Sequence, residues 1–230
     1  MIESLVIYFG LNLFFYNLYT YLQYFQYSMF EKNSIDLSYR IVNITKSFFL
    51  GLLSPYAFYL CYCILLHIEF NVYILYIISS LYASLDMSAM LYNPHTHIST
   101  TIHHSVVQIF YFYGVYVDWN PNTISNLILI YAIFSMFAYL VNFRLGIRKS
   151  NLNHKFVNIV NDVSLIIYTL SCVINWCLQV YFLLTTDFIE HMIYVFLYSM
   201  LILCIAVDDV KLIKYLYHQS ELFKHMKIKY

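Results

Sequence analysis

The sequence predicts an all-α protein, a polytopic transmembrane bundle of about seven helices, and three observations predict it. Hydrophobic residues make up 62% of the 230-residue chain and charged residues only 10%, whereas soluble domains carry about 25% charged residues. The apolar residues form seven runs that approach the roughly 20 residues needed to cross a bilayer. All Lys and Arg residues fall on one side of the resulting seven-helix arrangement. Lipid is therefore expected to be part of the solvent of this protein.

The seven apolar runs follow one another from the amino terminus. They cover residues 2–27, 41–66, 72–91, 98–117, 124–141, 157–183 and 188–207. Polar residues interrupt the third and fourth runs, so six or eight crossings stay compatible with the pattern. The first run has Glu3 instead of a basic leader and exceeds the roughly 7–15 residues of a signal-peptide core, so it is interpreted as a retained helix.

The chain is divided into three parts. Residues 1–35 hold the first helix and first loop, residues 36–214 form the main transmembrane domain, and residues 215–230 form a short basic tail. Lys and Arg flank the connection between helices one and two, lie between helices five and six, and follow helix seven. They are Lys32, Arg40, Lys46, Arg144, Arg148, Lys149, Lys155, Lys211, Lys214, Lys224, Lys227 and Lys229.

The loops on the opposite side carry acids and no Lys or Arg. These acids are Glu69, Asp118, Asp187 and Glu190. Cytoplasmic loops are enriched in Lys and Arg, which sets the orientation of multi-pass proteins. The charge asymmetry therefore predicts a lumenal or outside amino terminus and a cytosolic carboxyl terminus. Formal net charge is zero, and no nucleic-acid partner is expected.

Ionisable residues inside two neighbouring predicted helices are the main functional candidates. Asp86 lies on helix three, and His103 and His104 lie on helix four. Each is eight or nine residues from the centre of the intervening loop, which places all three at roughly the same depth, about 13 Å from that loop. A carboxylate beside imidazoles can form an acid/base arrangement, with one His facing a pocket and the other packing between helices. Asp86, His103 and His104 are the candidate catalytic residues; a structural ion pair is the alternative.

Further polar residues enter the helices from the same side. Four of them, Asn142, Arg144, Asn161 and Asp162, are the candidate lipid-binding residues. Together with Asp208 and Asp209 they are expected to line a polar cavity open to the cytosolic leaflet. The alternatives are solvated helix-end positions for Arg144 and for the Asp208–Asp209 pair. For Asn161, the alternative is a hydrogen bond to a neighbouring helix.

The sequence predicts no metal site and no cofactor. His95, His97, His103 and His104 form one cluster, and the remaining histidines are solitary. A single cluster does not supply the several histidine boxes of membrane di-iron enzymes. The chain also contains no Gly-rich phosphate loop, GxSxG elbow or HExxH motif.

Two longer motifs carry a family resemblance. They are Ser84-Leu-Asp-Met-Ser-Ala-Met90 and Thr101-Ile-His-His-Ser105, the second of which is followed by the aromatic run Phe110-Tyr-Phe-Tyr113. Together they resemble the TLC (TRAM–LAG1–CLN8) domain family, in which a helix with an Asp precedes a helix with paired histidines. Arg40-Ile-Val-Asn43 resembles the family's Arg-x-Val-Ser element, and Asn142-Phe-Arg144 its Asn-x-Arg element. The resemblance spans roughly residues 36–207.

The resemblance implies a multi-spanning protein of the endoplasmic reticulum type that is concerned with lipids. Ceramide synthases of this family N-acylate a sphingoid base with acyl-CoA, which implies His103 and His104 as a catalytic pair, Asp86 as an accompanying acid and acyl-CoA as co-substrate. The stretch after the histidines lacks the acids of the ceramide synthase signature, Ser135 replaces an expected Glu, and Lys46 replaces an expected His. The chain is thus more similar to the small TLC-domain proteins, which are implicated in membrane lipid composition.

Three hypotheses about function follow. The first is a protein that binds, carries or regulates membrane lipids through a polar intramembrane pocket. The second is an acyl-CoA-dependent lipid N-acyltransferase that uses the histidine pair as general base. The third is a structural or assembly protein whose polar core only holds helices together. Membrane lipids are the expected partners, and the sequence specifies no protein partner.

Overall fold

The computed structural model describes residues 2–29, 34–66, 68–93, 97–117, 123–148, 152–189 and 191–227, and within these ranges it contains helices and no strand. The helices are α1 (Ile2–Met29), α2 (Ser34–Leu65), α3 (Val72–Tyr92), α4 (Ile98–Tyr116), α5 (Ile124–Ser135), α6 (Tyr139–Ile147), α7 (His154–Thr185) and α8 (Met192–Lys227). A 3-10 turn, Met136–Ala138, joins α5 to α6 without a break. Counted over the described residues, the chain therefore forms seven helical rods, and the predicted all-α bundle is confirmed.

Six of the seven rods are long and apolar enough to cross a membrane. Within the described residues, the rod outside this set is α4, whose first half is rich in Ser, Thr and His. The sequence predicted this weakness, because polar residues interrupt the fourth apolar run. An integral, multi-pass membrane protein is the architecture that these rods support.

Interhelical hydrogen bonds show how the rods alternate in direction. On α7 and α8, Asn161 Nδ2 donates to the Leu216 carbonyl (3.0 Å) and Tyr198 Oη donates to Gln179 Oε1 (2.8 Å). Positions early in α7 therefore pair with positions late in α8, as in an antiparallel pair. The helices α2, α4 and α7 begin at one end of the bundle, where α1, α3, α6 and α8 end. We name it the cationic end, because Arg40, Arg148, Lys155 and Lys214 lie near these helix ends.

Several helices extend further at the cationic end than predicted. α2 begins at Ser34 instead of residue 41, α6 runs to Ile147, and α8 continues to Lys227, past residue 207 and through the start of the predicted basic tail at residue 215. With 36 residues, α8 is roughly 54 Å long against a hydrocarbon core of about 30 Å. The predictions stopped early because hydropathy detects only the apolar part of a helix that continues beyond the lipid.

α2 and α6 pack closely at the cationic end because Gly146 has no side chain. A Cβ at Gly146 would lie 2.6 Å from Ile44 Cγ1 and 3.3 Å from the Ile44 backbone nitrogen. The absence of a Cβ therefore permits the two helices to approach one another. This contact brings the Asn142-Phe-Arg144 segment next to the part of α2 that follows Arg40.

Candidate functional site

A cavity of about 650 Å³ lies among the helices α2 to α8, in the half of the bundle nearer the cationic end. Its volume falls in the range of roughly 300–1,000 Å³ that small-molecule sites occupy. Every helix except α1 contributes to the lining. The residues that carry charge or chemistry are Lys46, Asp86, His103, His104, Tyr131, Arg148, Tyr168, Asp208, Asp209 and Lys211.

Asp86 is shared by a lysine and a histidine. Lys46 Nζ lies 2.5 Å from Asp86 Oδ1, and His104 Nδ1 lies 3.1 Å from Asp86 Oδ2. Asp86 is only 3% exposed and Lys46 only 7%. The sequence placed Lys46 at the end of helix two that flanks the first connection; because α2 begins at Ser34, Lys46 lies in the fourth turn of the helix, where it lines the cavity. α2, α3 and α4 therefore meet around one carboxylate.

His103 forms a second arrangement beside the first. Its Nδ1 lies 3.3 Å from Asp208 Oδ2 on α8, and its Nε2 lies 3.2 Å from Tyr131 Oη on α5. The rings of His103 and His104 are 5.4 Å apart between centroids. The sequence predicted that one His would face a pocket and the other would pack between helices. The structure corrects this, since both line the cavity.

The two adjacent acids of α8 also lie in the cavity lining. Asp209 is 6% exposed, and its Oδ1 accepts a hydrogen bond from Tyr168 Oη at 2.7 Å. Asp208 faces His103, as described above. The interpretation of this pair as solvated helix-end residues is therefore wrong, because α8 continues well beyond them and buries them within the bundle.

Of the four candidate lipid-binding residues, Asn142 alone lines the cavity. Arg144 is 2% exposed and its Nε donates to Asn161 Oδ1 at 3.1 Å, so its interpretation as a solvated helix-end residue is wrong. Asn161 also donates to the Leu216 carbonyl, as expected of an asparagine that joins neighbouring helices. Asp162 is exposed and accepts a hydrogen bond from Ser220 Oγ (2.7 Å). Arg144, Asn161 and Asp162 thus connect α6, α7 and α8 beside the cavity.

The remainder of the lining is apolar or aromatic, including Leu50, Ala89, Phe134 and Leu212. A ligand in this cavity would meet charged and hydrogen-bonding groups in one part and hydrocarbon-compatible side chains in another. Within the described ranges, no group of three or more His, Cys, Asp or Glu residues is arranged to hold a metal ion. His95, part of the histidine cluster in the sequence, lies outside the described residues.

Sequence reasoning missed Tyr131 and Tyr168, and it did not name Lys46 as a site residue. Tyr131 and Tyr168 sit in long apolar runs rich in tyrosine, where nothing in the pattern distinguishes them. For Lys46 a signal was present, because it occupies the position at which the resemblance leads one to expect a histidine. A residue that replaces a site residue is itself a site candidate, and its place in the cavity is consistent with that inference.

The cavity therefore holds two adjacent carboxylate–imidazole contacts, Asp86 with His104 and Asp208 with His103. Comparisons with models of known protein families, with curated proteins and with solved structures found no match for this chain.

Proposed function

We propose that this protein is a TLC-type multi-pass membrane protein that binds, carries or regulates membrane lipids through its polar cavity. The observation that supports the proposal is the lining itself, in which Lys46, Asp86 and the histidine pair adjoin apolar residues such as Leu50 and Phe134. Ionisable residues inside a membrane bundle are costly and mark functional sites by default. A lipid headgroup would satisfy the polar part of the lining, while its hydrocarbon chain would contact the apolar part.

The same proposal includes an orientation and a location. The cationic end faces the cytosol because Lys and Arg are retained on that side of a membrane, which leaves the amino terminus in the lumen. The resemblance to the TLC family favours a membrane of the endoplasmic reticulum type. A cavity in this half of the bundle would draw its ligand from the cytosolic leaflet.

Filling the cavity tests lipid binding without removing any charged group. Ala138 lines the cavity, and we expect Ala138→Trp to reduce co-purified lipid, seen by native mass spectrometry, by at least about tenfold, equivalent to 1.4 kcal/mol of binding free energy. Leu184→Trp is the matched control, because Leu184 is 80% exposed on the outer surface of α7. Equal lipid retention by wild type and Ala138→Trp would contradict the proposal and favour a purely structural role for the polar core.

An acyl-CoA-dependent N-acyltransferase is the second candidate, and one specific observation favours it. The segment after the histidine pair lacks the acids of the ceramide synthase signature, but α3 places Asp86 Oδ2 3.1 Å from His104 Nδ1. A carboxylate can orient a histidine that removes a proton from an amine, and general-base catalysis contributes about 10²–10⁴-fold.

The double variant His103→Ala/His104→Ala is expected to lose turnover of acyl-CoA with a long-chain base by that factor, measured by product formation in proteoliposomes. His191→Ala is the control, since His191 is exposed at the opposite end of the bundle. Turnover that survives the loss of both histidines would exclude this mechanism.

A further inference from the structure

We infer that Lys46 and Asp208 hold the two adjacent histidines in different protonation states, with His104 neutral and His103 an imidazolium. The two side chains are nearly equally exposed, at 14% and 15%, and both belong to α4. Intrinsic chemistry and burial therefore do not distinguish them. The charged groups that face each ring distinguish the two histidines.

His104 faces a carboxylate whose charge is already balanced. Asp86 of α3 has Lys46 of α2 at 2.5 Å on Oδ1, and His104 Nδ1 lies 3.1 Å from Oδ2. The other titratable neighbours of His104 are the His103 ring, whose centroid is 5.4 Å away, and Asp208 of α8, which is paired with His103. Protonating His104 would give this cluster a net positive charge away from water, and an uncompensated buried charge is strongly unfavourable. His104 is therefore neutral beside the Lys46–Asp86 pair.

His103 faces carboxylates that lack another cation. Asp208 Oδ2 lies 3.3 Å from His103 Nδ1, and the neighbouring Asp209 is bonded to the Tyr168 hydroxyl. Among the described residues, no Lys or Arg forms an ion pair with Asp208 or Asp209. An opposite charge at this distance favours the charged form of an imidazole. His103 thus balances Asp208 as an imidazolium.

The two rings then present different chemistry to the cavity. In neutral His104 the proton belongs on Nδ1, next to Asp86, and Nε2 is a hydrogen-bond acceptor. In protonated His103 both nitrogens are donors, and Nε2 donates to Tyr131 Oη, 3.2 Å away. The Tyr131 hydroxyl then donates to its neighbour Tyr82, or to a ligand that takes the place of Tyr82 as acceptor.

An acceptor beside a donor fits a lipid headgroup that carries a hydrogen-bond donor next to a carbonyl or anionic oxygen. This statement about the ligand rests on the proposed function, whereas the protonation difference does not. Lys46 and Asp208 act through the histidines, so they are positioning residues.

Nuclear magnetic resonance tests the protonation states directly. The protein, with its nine histidines labelled with ¹⁵N, is reconstituted in lipid nanodiscs at pH 7, and the variants His103→Asn and His104→Asn assign the two rings. We expect the resonances lost in His104→Asn to be those of a neutral ring and those lost in His103→Asn to be those of an imidazolium. Two neutral rings, two charged rings or the reverse assignment would overturn the inference.

Two further variants test the positioning residues. Lys46→Met should convert His104 to an imidazolium, because Asp86 then has no other counter-charge, and Asp208→Asn should leave His103 neutral. Lys46→Arg keeps the cation and should keep His104 neutral. Lys155→Met and Glu69→Gln are the controls, since both residues are exposed and distant from the cavity.

Unchanged ring resonances in folded Lys46→Met and Asp208→Asn would overturn the assigned roles, and a merely structural role would not move these signals. If these variants do not fold, the wild-type spectrum still decides the protonation states. No ligand is added, so the outcome is separate from the lipid-retention experiment with Ala138→Trp.

Discussion

Lys46 is the residue whose place in the structure most changes the interpretation of the sequence. It is 7% exposed and lies 2.5 Å from Asp86, which itself is 3% exposed. Removing a lysine and a carboxylate from water costs several kcal/mol per ion, and their attraction compensates for this only when both partners are present. The pair therefore fixes α2 against α3 without being a net source of stability.

This argument predicts an asymmetry between the two single substitutions. Asp86→Asn leaves Lys46 buried without its carboxylate and should lower the free energy of unfolding by about 3–5 kcal/mol. Lys46→Met should cost less, because His104 can take up a proton and replace the lost cation. Unfolding in mixed detergent micelles measures both values.

The double variant completes this prediction. Lys46→Met/Asp86→Asn should be more stable than Asp86→Asn alone, because it removes the unpaired ammonium. Lys155→Met and Glu69→Gln again report the effect of losing an exposed charge. A Lys46→Met variant that is less stable than Asp86→Asn would contradict the shared-carboxylate account.

The sequence predicted the central contact but not its surroundings. Counting residues from the loop placed Asp86 and the histidine pair at one depth, and the Asp86–His104 contact of 3.1 Å agrees with that estimate. The partners from other rods, Lys46, Tyr131 and Asp208, could not be found by counting. Their positions depend on how the rods pack around one another, which hydropathy and loop length do not specify.

At the scale of the helices, α4 shows why a polar helix can belong to a membrane bundle. Its Gln108 Nε2 donates to the Ala83 carbonyl at 3.1 Å, and its Gln108 Oε1 accepts from Tyr8 Oη at 2.7 Å. About one turn further along α4, Tyr111 Oη donates to the Ser4 carbonyl at 3.0 Å. Polar groups of α4 are thus satisfied by α1 and α3, so interhelical hydrogen bonds take the place of water.

The helix ends were predicted less well than the helix centres, for a physical reason. α8 is apolar enough to be recognised up to about residue 207, but its later turns alternate polar and apolar residues. One of these, Leu216, is fully buried in a cluster with Val141 and Tyr168. A partly polar helix that packs beyond the lipid is stabilised by such contacts, and a hydropathy window does not detect them.

At the scale of the whole molecule, the cationic end and the cavity belong to the same half of the bundle. Arg148 stacks its guanidinium 4.4 Å from the centre of the Tyr39 ring, and both residues line the cavity. The sequence predicted the number, order and alternation of the helices. It did not predict their neighbours, such as α1 lying parallel to α3, where Tyr92 Oη donates to the Tyr19 carbonyl (3.1 Å).

The proposed lipid-binding function requires that α4 cross the membrane together with the six longer helices, so that its two histidines reach a cavity inside the bilayer. Cysteine accessibility tests it most directly, using His97→Cys and Tyr116→Cys at the two ends of α4 in a protein whose five native cysteines have been replaced. In sealed microsomes, whose outer face is cytosolic, a membrane-impermeant thiol reagent should label the first variant at once and the second only after detergent is added.

Lys155→Cys and Asp187→Cys, at the two ends of the predicted α7 crossing, are the controls for the proposed cytosolic and lumenal faces. Labelling of His97→Cys and Tyr116→Cys from one face would contradict the account, because α4 would then not span the membrane.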